Sequence, residues 1–168
     1  MLHPLIALVE RSAIEGRGLI AQGLIKAGEV VSTVPPDAPR TPLADVLSWS
    51  LEQQDAFLIH SYQLNESECV SEQDEAKYMN HSCDPNLWWL DDETMLARRD
   101  IQAGEEITYD YSTTELAVPM DMACRCGSLL CRGRVTNHDY LLPEWQQRYG
   151  DHLPAHLLNA IALSKATE

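Results

Sequence analysis

The sequence predicts a single β-rich α+β domain, and three observations carry that expectation. The chain has 168 residues, the size of one ordinary domain, which buries about 70% of the surface its unfolded form exposes. Its apolar segments are short and separated by Gly- and Pro-containing turns, a pattern that suits strands. Helical spacing of apolar residues is confined to a middle insert and the C-terminal end. Many short strands with few helices indicate α+β architecture. A hydrophobic fraction of 45% and a charged fraction of 23% are those of a soluble globular protein.

The elements follow in order. Leu5 to Val9 reads as a strand. Glu15-Gly16-Arg17-Gly18 is a turn opening into a second, Leu19 to Ala21. Ile25-Lys26-Ala27-Gly28-Glu29-Val30-Val31 turns at Gly28 into a third. Ile101-Gln102-Ala103-Gly104-Glu105-Glu106-Ile107 reads almost the same way, as a loop delivering the chain into a strand. Pro35, Pro36, Pro39 and Pro42 forbid regular structure there. Thr41-Pro42 predicts a helix start, with Thr as N-cap and Pro at the first position. Leu43, Val46, Leu47 and Leu51 continue it at helical spacing. Phe57 to Leu64 suits either the end of that helix or a strand. Leu87–Leu90 and Thr94–Arg98 flank the acidic turn Asp91-Asp92-Glu93 and predict a hairpin. Ile107, Tyr109 and Tyr111 alternate with Thr108 and Asp110, the period of a strand. Tyr140–Tyr149 and Leu153–Leu163 read as helices.

Charge is unevenly spread. The formal net charge is −14, and residues 65–115 carry 14 acids against 3 bases. Such a field repels nucleic acid and anionic lipid and attracts cationic partners. No apolar run approaches the ~20 residues of a membrane helix. Met1–Glu10 has no basic stretch of the kind that starts a signal peptide. The expectation is a cytoplasmic protein, or a nuclear one in a eukaryote, with no direct nucleic-acid or membrane partner. Its oligomeric state is not legible.

The five cysteines are Cys69, Cys83, Cys124, Cys126 and Cys131. In a reducing compartment structural disulfides are improbable. Cys124-Arg125-Cys126-Gly127-Ser128-Leu129-Leu130-Cys131 places three thiolates where they can converge on one tetrahedral ion. Structural zinc takes four ligands, commonly Cys₄ or Cys₃His, so a distant residue must close the site. Cys83, Cys69, His81 and His138 are the candidates. An iron–sulfur cluster also takes four cysteines, and spacing does not separate it from zinc.

Four motifs stand in order: Gly16-Arg17-Gly18-Leu19, Asn80-His81-Ser82-Cys83, Glu106-Ile107-Thr108-Tyr109-Asp110-Tyr111, and the Cys-x-Cys-Gly-x₃-Cys-Arg-Gly knuckle at 124–133. Together they resemble the SET-domain protein lysine methyltransferases with a post-SET cysteine segment, over roughly residues 4–134. The resemblance implies a SET-domain fold of small β-sheets with a pseudoknot, a short helical insert (about 35–60) and a helical C-terminal tail. It divides the chain into a SET domain at 1–115, a post-SET zinc-binding segment at 116–134 and a C-terminal extension at 135–168. It implies that Cys83 closes the zinc site with Cys124, Cys126 and Cys131, and that Cys69 is free.

The resemblance also implies the activity: methyl transfer from S-adenosylmethionine to a lysine ε-amine of a basic protein, a histone among them. It makes Tyr111 the catalytic tyrosine and Tyr109 the Phe/Tyr switch, where a hydroxyl favours mono- and dimethylation. It puts Arg17, Gly18, Leu19, Tyr62, Tyr78, Asn80 and His81 at the cofactor. Trp145 or Leu130 would cover the adenine, and one of Trp88 and Trp89 would line the substrate groove. Two departures stand out: no cysteine cluster precedes the SET core, and Lys77-Tyr78 occupies the place usual for Arg-Phe. The alternatives are a non-catalytic SET-like module that binds peptides and is stapled by zinc, and a metal or redox protein built on the knuckle.

Overall fold

The computed structural model describes residues 1–166 and arranges them in two- and three-stranded ladders. Strand β1 (Ile6–Val9) pairs antiparallel with β2 (Gly18–Ala21). Strand β3 (Val30–Thr33) follows the turn at Gly28, whose φ of 84° is open to Gly without strain. The two similar Ala-Gly-Glu segments meet each other: Ile25 and Ile101 exchange backbone hydrogen bonds of 3.0 and 2.8 Å.

The insert departs from expectation. Thr41 lies in a strand, β4 (Arg40–Pro42), and Pro42, expected as the first helical residue, takes the N-cap place instead. Thr41 faces Cys69 across the ladder, and α1 (Leu43–Ser48) starts after Pro42 with no side-chain cap. The expected single helix is two, because Ser50 starts a new one. Ser50 and Gln53 form a reciprocal capping box at the head of α2 (Leu51–Leu58). Residues 57–64 satisfy both readings in turn, with the end of α2 and then β5 (Ser61–Gln63).

Strand β6 (Glu68–Ser71) lies between β4 and β5. Next comes β7 (Asn80–His81), then the expected hairpin of β8 (Leu87–Trp89) and β9 (Thr94–Ala97), which joins β3 in one sheet. Strand β10 (Thr108–Tyr109) runs parallel to β7, with Asn80 opposite Thr108 and His81 opposite Tyr109. It is the one parallel ladder among the described residues. The tyrosine strand stops two residues short of its alternating pattern because the Asp110 carboxylate accepts the Ser112 N–H at 3.1 Å and turns the chain at Tyr111.

The last hairpin is β11 (Asp121–Ala123) with β12 (Arg134–Thr136), and the tail forms α3 (Pro143–Tyr149) and α4 (Ala155–Ala166). Residues 140–142 stay outside α3, which begins at Pro143, a favoured first helical residue. The main core joins Leu19, Leu87, Trp89, Ile101 and Ile107, and the tail builds a second cluster on Trp145, Tyr149, Leu153 and Leu157. No helix among the described residues is long and apolar enough to cross a membrane.

Candidate active site

A single cavity of about 550 Å³ runs from the turn after β1 to β11. Its volume is that of an ordinary small-molecule site. Its wall includes Glu15, Gly16, Arg17, Tyr78 and Asn80 together with Tyr62, Glu72, Glu115 and Met122. Tyr109 and Tyr111 line it as well. The parallel β7–β10 pair thus puts the Asn-His string and the paired tyrosines side by side.

The Asn80 amide is spent on the loop. Nδ2 lies 3.0 Å from the Glu15 carbonyl, 2.8 Å from that of Arg17 and 2.8 Å from Glu106 Oε1. Ser12 Oγ donates to the same Glu106 carboxylate at 2.7 Å. Gly18 is required here by close approach: a Cβ on it would sit 2.5 Å from Glu106 Oε1 and 2.9 Å from Ser12 Cβ. The Arg17 guanidinium donates to the Tyr78 hydroxyl at 2.9 Å and lies 5.0 Å from that ring's centre.

Tyr111 is fixed at both ends. Its hydroxyl donates to the Met79 carbonyl at 2.9 Å, and its backbone N–H donates to His81 Nδ1 at 3.1 Å. Burial holds its phenol up at about 12, so it stays protonated. Burial also drops His81 to about 4. The ring is therefore neutral, accepts at Nδ1 and carries its proton on Nε2, 3.3 Å from Cys83 Sγ. One imidazole thus ties the tyrosine to the cysteine cluster.

Asp110, between the tyrosines, is the hub behind them. Arg132 grips it with two bonds of 2.7 and 2.8 Å, and the Tyr149 hydroxyl donates at 2.8 Å. Burial raises this carboxyl, but Arg132 and its other partners outweigh that and hold it below the ordinary range. The tail steadies the same stretch: Trp145 Nε1 donates to Ser112 Oγ at 2.9 Å, and His156 Nε2 lies 2.8 Å from the Thr114 carbonyl.

The thiols of Cys83, Cys124, Cys126 and Cys131 lie within 4.8 Å of one another. A tetrahedral zinc with bonds of about 2.3 Å spaces its sulfurs about 3.8 Å apart, and Cys83 and Cys124 are 3.7 Å apart. Backbone N–H groups of Cys83 and Arg132 point at cluster sulfurs, each at 3.4 Å. The donor set fits zinc. Burial raises the Cys83 and Cys124 thiols, while at Cys126 burial is outweighed by hydrogen bonds from the Cys83 and Ser128 backbone, which lower it, so a cation must displace protons from the raised pair to bind. Cys69 is free and lies apart, among Leu43, Val46 and Val118.

The SET-domain family model matches residues 16–112, more than half the chain. The chain belongs to the SET-domain family. Its relatives include the putative histone-lysine N-methyltransferase ASHH4 of Arabidopsis thaliana, 28% identical over 71% of this chain. An H3 lysine-4 specific histone-lysine N-methyltransferase of Mycosarcoma maydis is 33% identical over 73%. The chain spans 36% of the first protein's length and 9% of the second's. Among solved structures it resembles KRYPTONITE in complex with mCHG DNA and SAH, with a TM-score of 0.56 and 25% identity over 74% of this chain and 27% of that one.

In this SET domain, Arg17, Tyr62, Tyr78, Asn80, Tyr109 and Tyr111 line the cavity. Gly18, Leu19 and His81 do not line it: Leu19 is core, Gly18 makes room for Glu106, and His81 faces the thiols. Trp89 is buried and donates to Thr113 Oγ1 at 3.0 Å, while Trp88 stacks on His152 at 3.5 Å instead of lining the cavity. Trp145 is core. Sequence reading missed Glu106, Arg132, Glu72 and Glu115. The acid-rich run held two of the cavity's carboxylates, Glu72 and Glu115, but nothing in it separated them from surface charge.

Proposed function

We propose that this SET domain transfers a methyl group from S-adenosylmethionine to the ε-amine of a lysine in a basic protein, histone tails included. One observation carries the reading: the Asn80 end and the tyrosine end open into the same cavity. KRYPTONITE has been solved with SAH, and with an H3(1-15) peptide. The cavity wall carries five acids, Glu15, Asp55, Glu72, Glu115 and Asp121, against Arg17 and Lys77, which both lie by Tyr78. That asymmetry, with a net charge of −14, favours a cationic peptide over nucleic acid.

The donor supplies an electrophilic methyl on a positively charged sulfur. Arg17, Tyr78 and Asn80 would hold it, with the backbone of 15–17 fixed by the Asn80 amide. The lysine must be neutral when it attacks, and the aromatic wall of Tyr62, Tyr109 and Tyr111 disfavours its charged form. The Tyr111 hydroxyl stays protonated, and its anchor on Met79 leaves its lone pairs to orient the amine. Alignment of this kind can lower a barrier by ~7–11 kcal/mol. Tyr109 packs 4.9 Å from Tyr111, and its hydroxyl narrows the space for a methylated amine, so mono- and dimethyl products are favoured. Cys83, Cys124, Cys126 and Cys131 would bind zinc and clamp residues 116–134 onto the SET core at 1–115, with 135–168 as a buttress.

The test is transfer of isotope-labelled methyl from S-adenosylmethionine to lysine peptides, read by mass spectrometry. We expect label on lysine, and about a 100-fold loss in Tyr111→Phe, the scale of removing one positioned hydroxyl. Label that ignores Tyr111→Phe removes that residue's role; mainly trimethylated product removes Tyr109's.

A further inference from the structure

Glu115 is nine-tenths buried, with 3% of its surface exposed, yet it lines the cavity. One carboxylate oxygen accepts long bonds from the Gln63 N–H at 3.3 Å and the Thr114 hydroxyl at 3.4 Å. Its other oxygen is buried with no partner among the described residues. Glu72, also in the wall, repeats the pattern: one oxygen accepts from the Tyr62 hydroxyl at 3.1 Å and the other is buried without a partner. A buried carboxylate oxygen is costly unless something pairs with it. The accepting role toward Gln63 needs no charge, since a glutamine carbonyl would serve it. What a glutamine could not do is meet a cation or take its proton.

We propose that Glu115 is the residue that receives the substrate lysine's ammonium and takes one proton from it. This rests on the methyl-transfer reading above. In the step, the ε-ammonium gives one N–H proton to the Glu115 carboxylate, leaving a neutral amine and a carboxylic acid. The amine lone pair forms the new N–C bond as the methyl–sulfur bond of the sulfonium donor breaks, and that electron pair stays on sulfur. The product is a methylammonium ion, and Glu115 returns its proton to water. One proton is released per methyl transferred. Burial raises the Glu115 carboxyl to about 8, so it holds a proton better than an exposed glutamate. Tyr62, Tyr109 and Cys69 lie close enough to feel its charge, and none of them is a cation. His156, behind the Thr114 carbonyl, is kept neutral by burial.

The test is kcat/KM for a lysine peptide against pH, in the wild type, Glu115→Gln and Glu115→Asp. Binding of S-adenosylhomocysteine is measured at each pH to report an intact fold. Without the carboxylate, only the rare neutral form of a lysine with pKa near 10.4 can react, so we expect a gap of at least about tenfold at pH 8.5, where Glu115 is mostly ionised, that closes to about threefold at pH 10 and shrinks again as pH falls below 8. Glu115→Asp should recover part of the loss at pH 8.5. A gap equal at every pH would mark Glu115 as a packing residue and overturn the proposal, as would Glu115→Gln matching the wild type. A wild type that binds S-adenosylhomocysteine but methylates no lysine overturns the functional reading as well.

Discussion

Replacing Arg132 with methionine tests whether the post-SET knuckle holds the tyrosine strand in place through Asp110. Arg132 makes two bonds to Asp110, one of 3.1 Å to Ser112 Oγ, and lies 2.8 Å from Asp139. Asp110 itself has no exposed side-chain surface. Arg132→Met keeps most of the volume and leaves a buried carboxylate without its cation, which typically costs about 3–5 kcal/mol. With an urea m-value of about 2 kcal/mol/M, the unfolding midpoint should fall by about 1.5–2.5 M at pH 8. The pH dependence fixes the cause. In the wild type the Asp110 carboxyl is held below its unfolded value, so its contribution is complete above that value and lost as pH falls through the folded one. In the variant burial is opposed only by the neutral donors Ser112 and Tyr149 and the carboxyl rises, so its cost is full at high pH and relieved as pH falls. The destabilisation should therefore be smaller at pH 5 than at pH 8. A loss below about 1 kcal/mol, the scale of an exposed ion pair, or one with no pH dependence would refute the reasoning.

Three further outcomes follow from the same contacts. Gly18→Ala pushes a methyl group to within 2.5 Å of Glu106 Oε1; we expect at least tenfold weaker S-adenosylhomocysteine binding by calorimetry, with thermal stability lowered by a few degrees. Cys131→Ser should remove stoichiometric zinc from the purified protein, measured by elemental analysis, and chelation of the wild type should lower its melting temperature and slow methyl transfer together, because His81 joins Cys83 to Tyr111. His81→Ala with zinc retained should still cut kcat while leaving zinc content unchanged; equal kcat would show that the imidazole does not position the tyrosine.

The fold was legible where local pattern decided it. The hairpin around Asp91-Asp92-Glu93, the glycine turns and the knuckle are written in short runs of residues, and the structure has them all. The insert misled because Thr41-Pro42 satisfies a helix-start rule while its backbone is claimed by Cys69 across a ladder. The tyrosine pattern stopped early because an aspartate bonded its own chain. In the site, residues inside ordered motifs reached the cavity, but motif membership did not tell which way each side chain faced: Leu19 and His81 lie in the right strings and turn elsewhere. The charged hub of Asp110, Arg132 and Tyr149 joins three distant segments, and no local signal marks such a meeting.

The most direct measurement is calorimetric titration of S-adenosylhomocysteine into the free protein and into protein saturated with a lysine peptide. If the proposed donor-binding and lysine-binding residues share one cavity without overlapping, both titrations should bind, at similar affinity, forming a ternary complex. Asn80→Ala should weaken S-adenosylhomocysteine in both titrations. Mutual exclusion of the two ligands, or no S-adenosylhomocysteine binding at all, would contradict a shared methyl-transfer cavity.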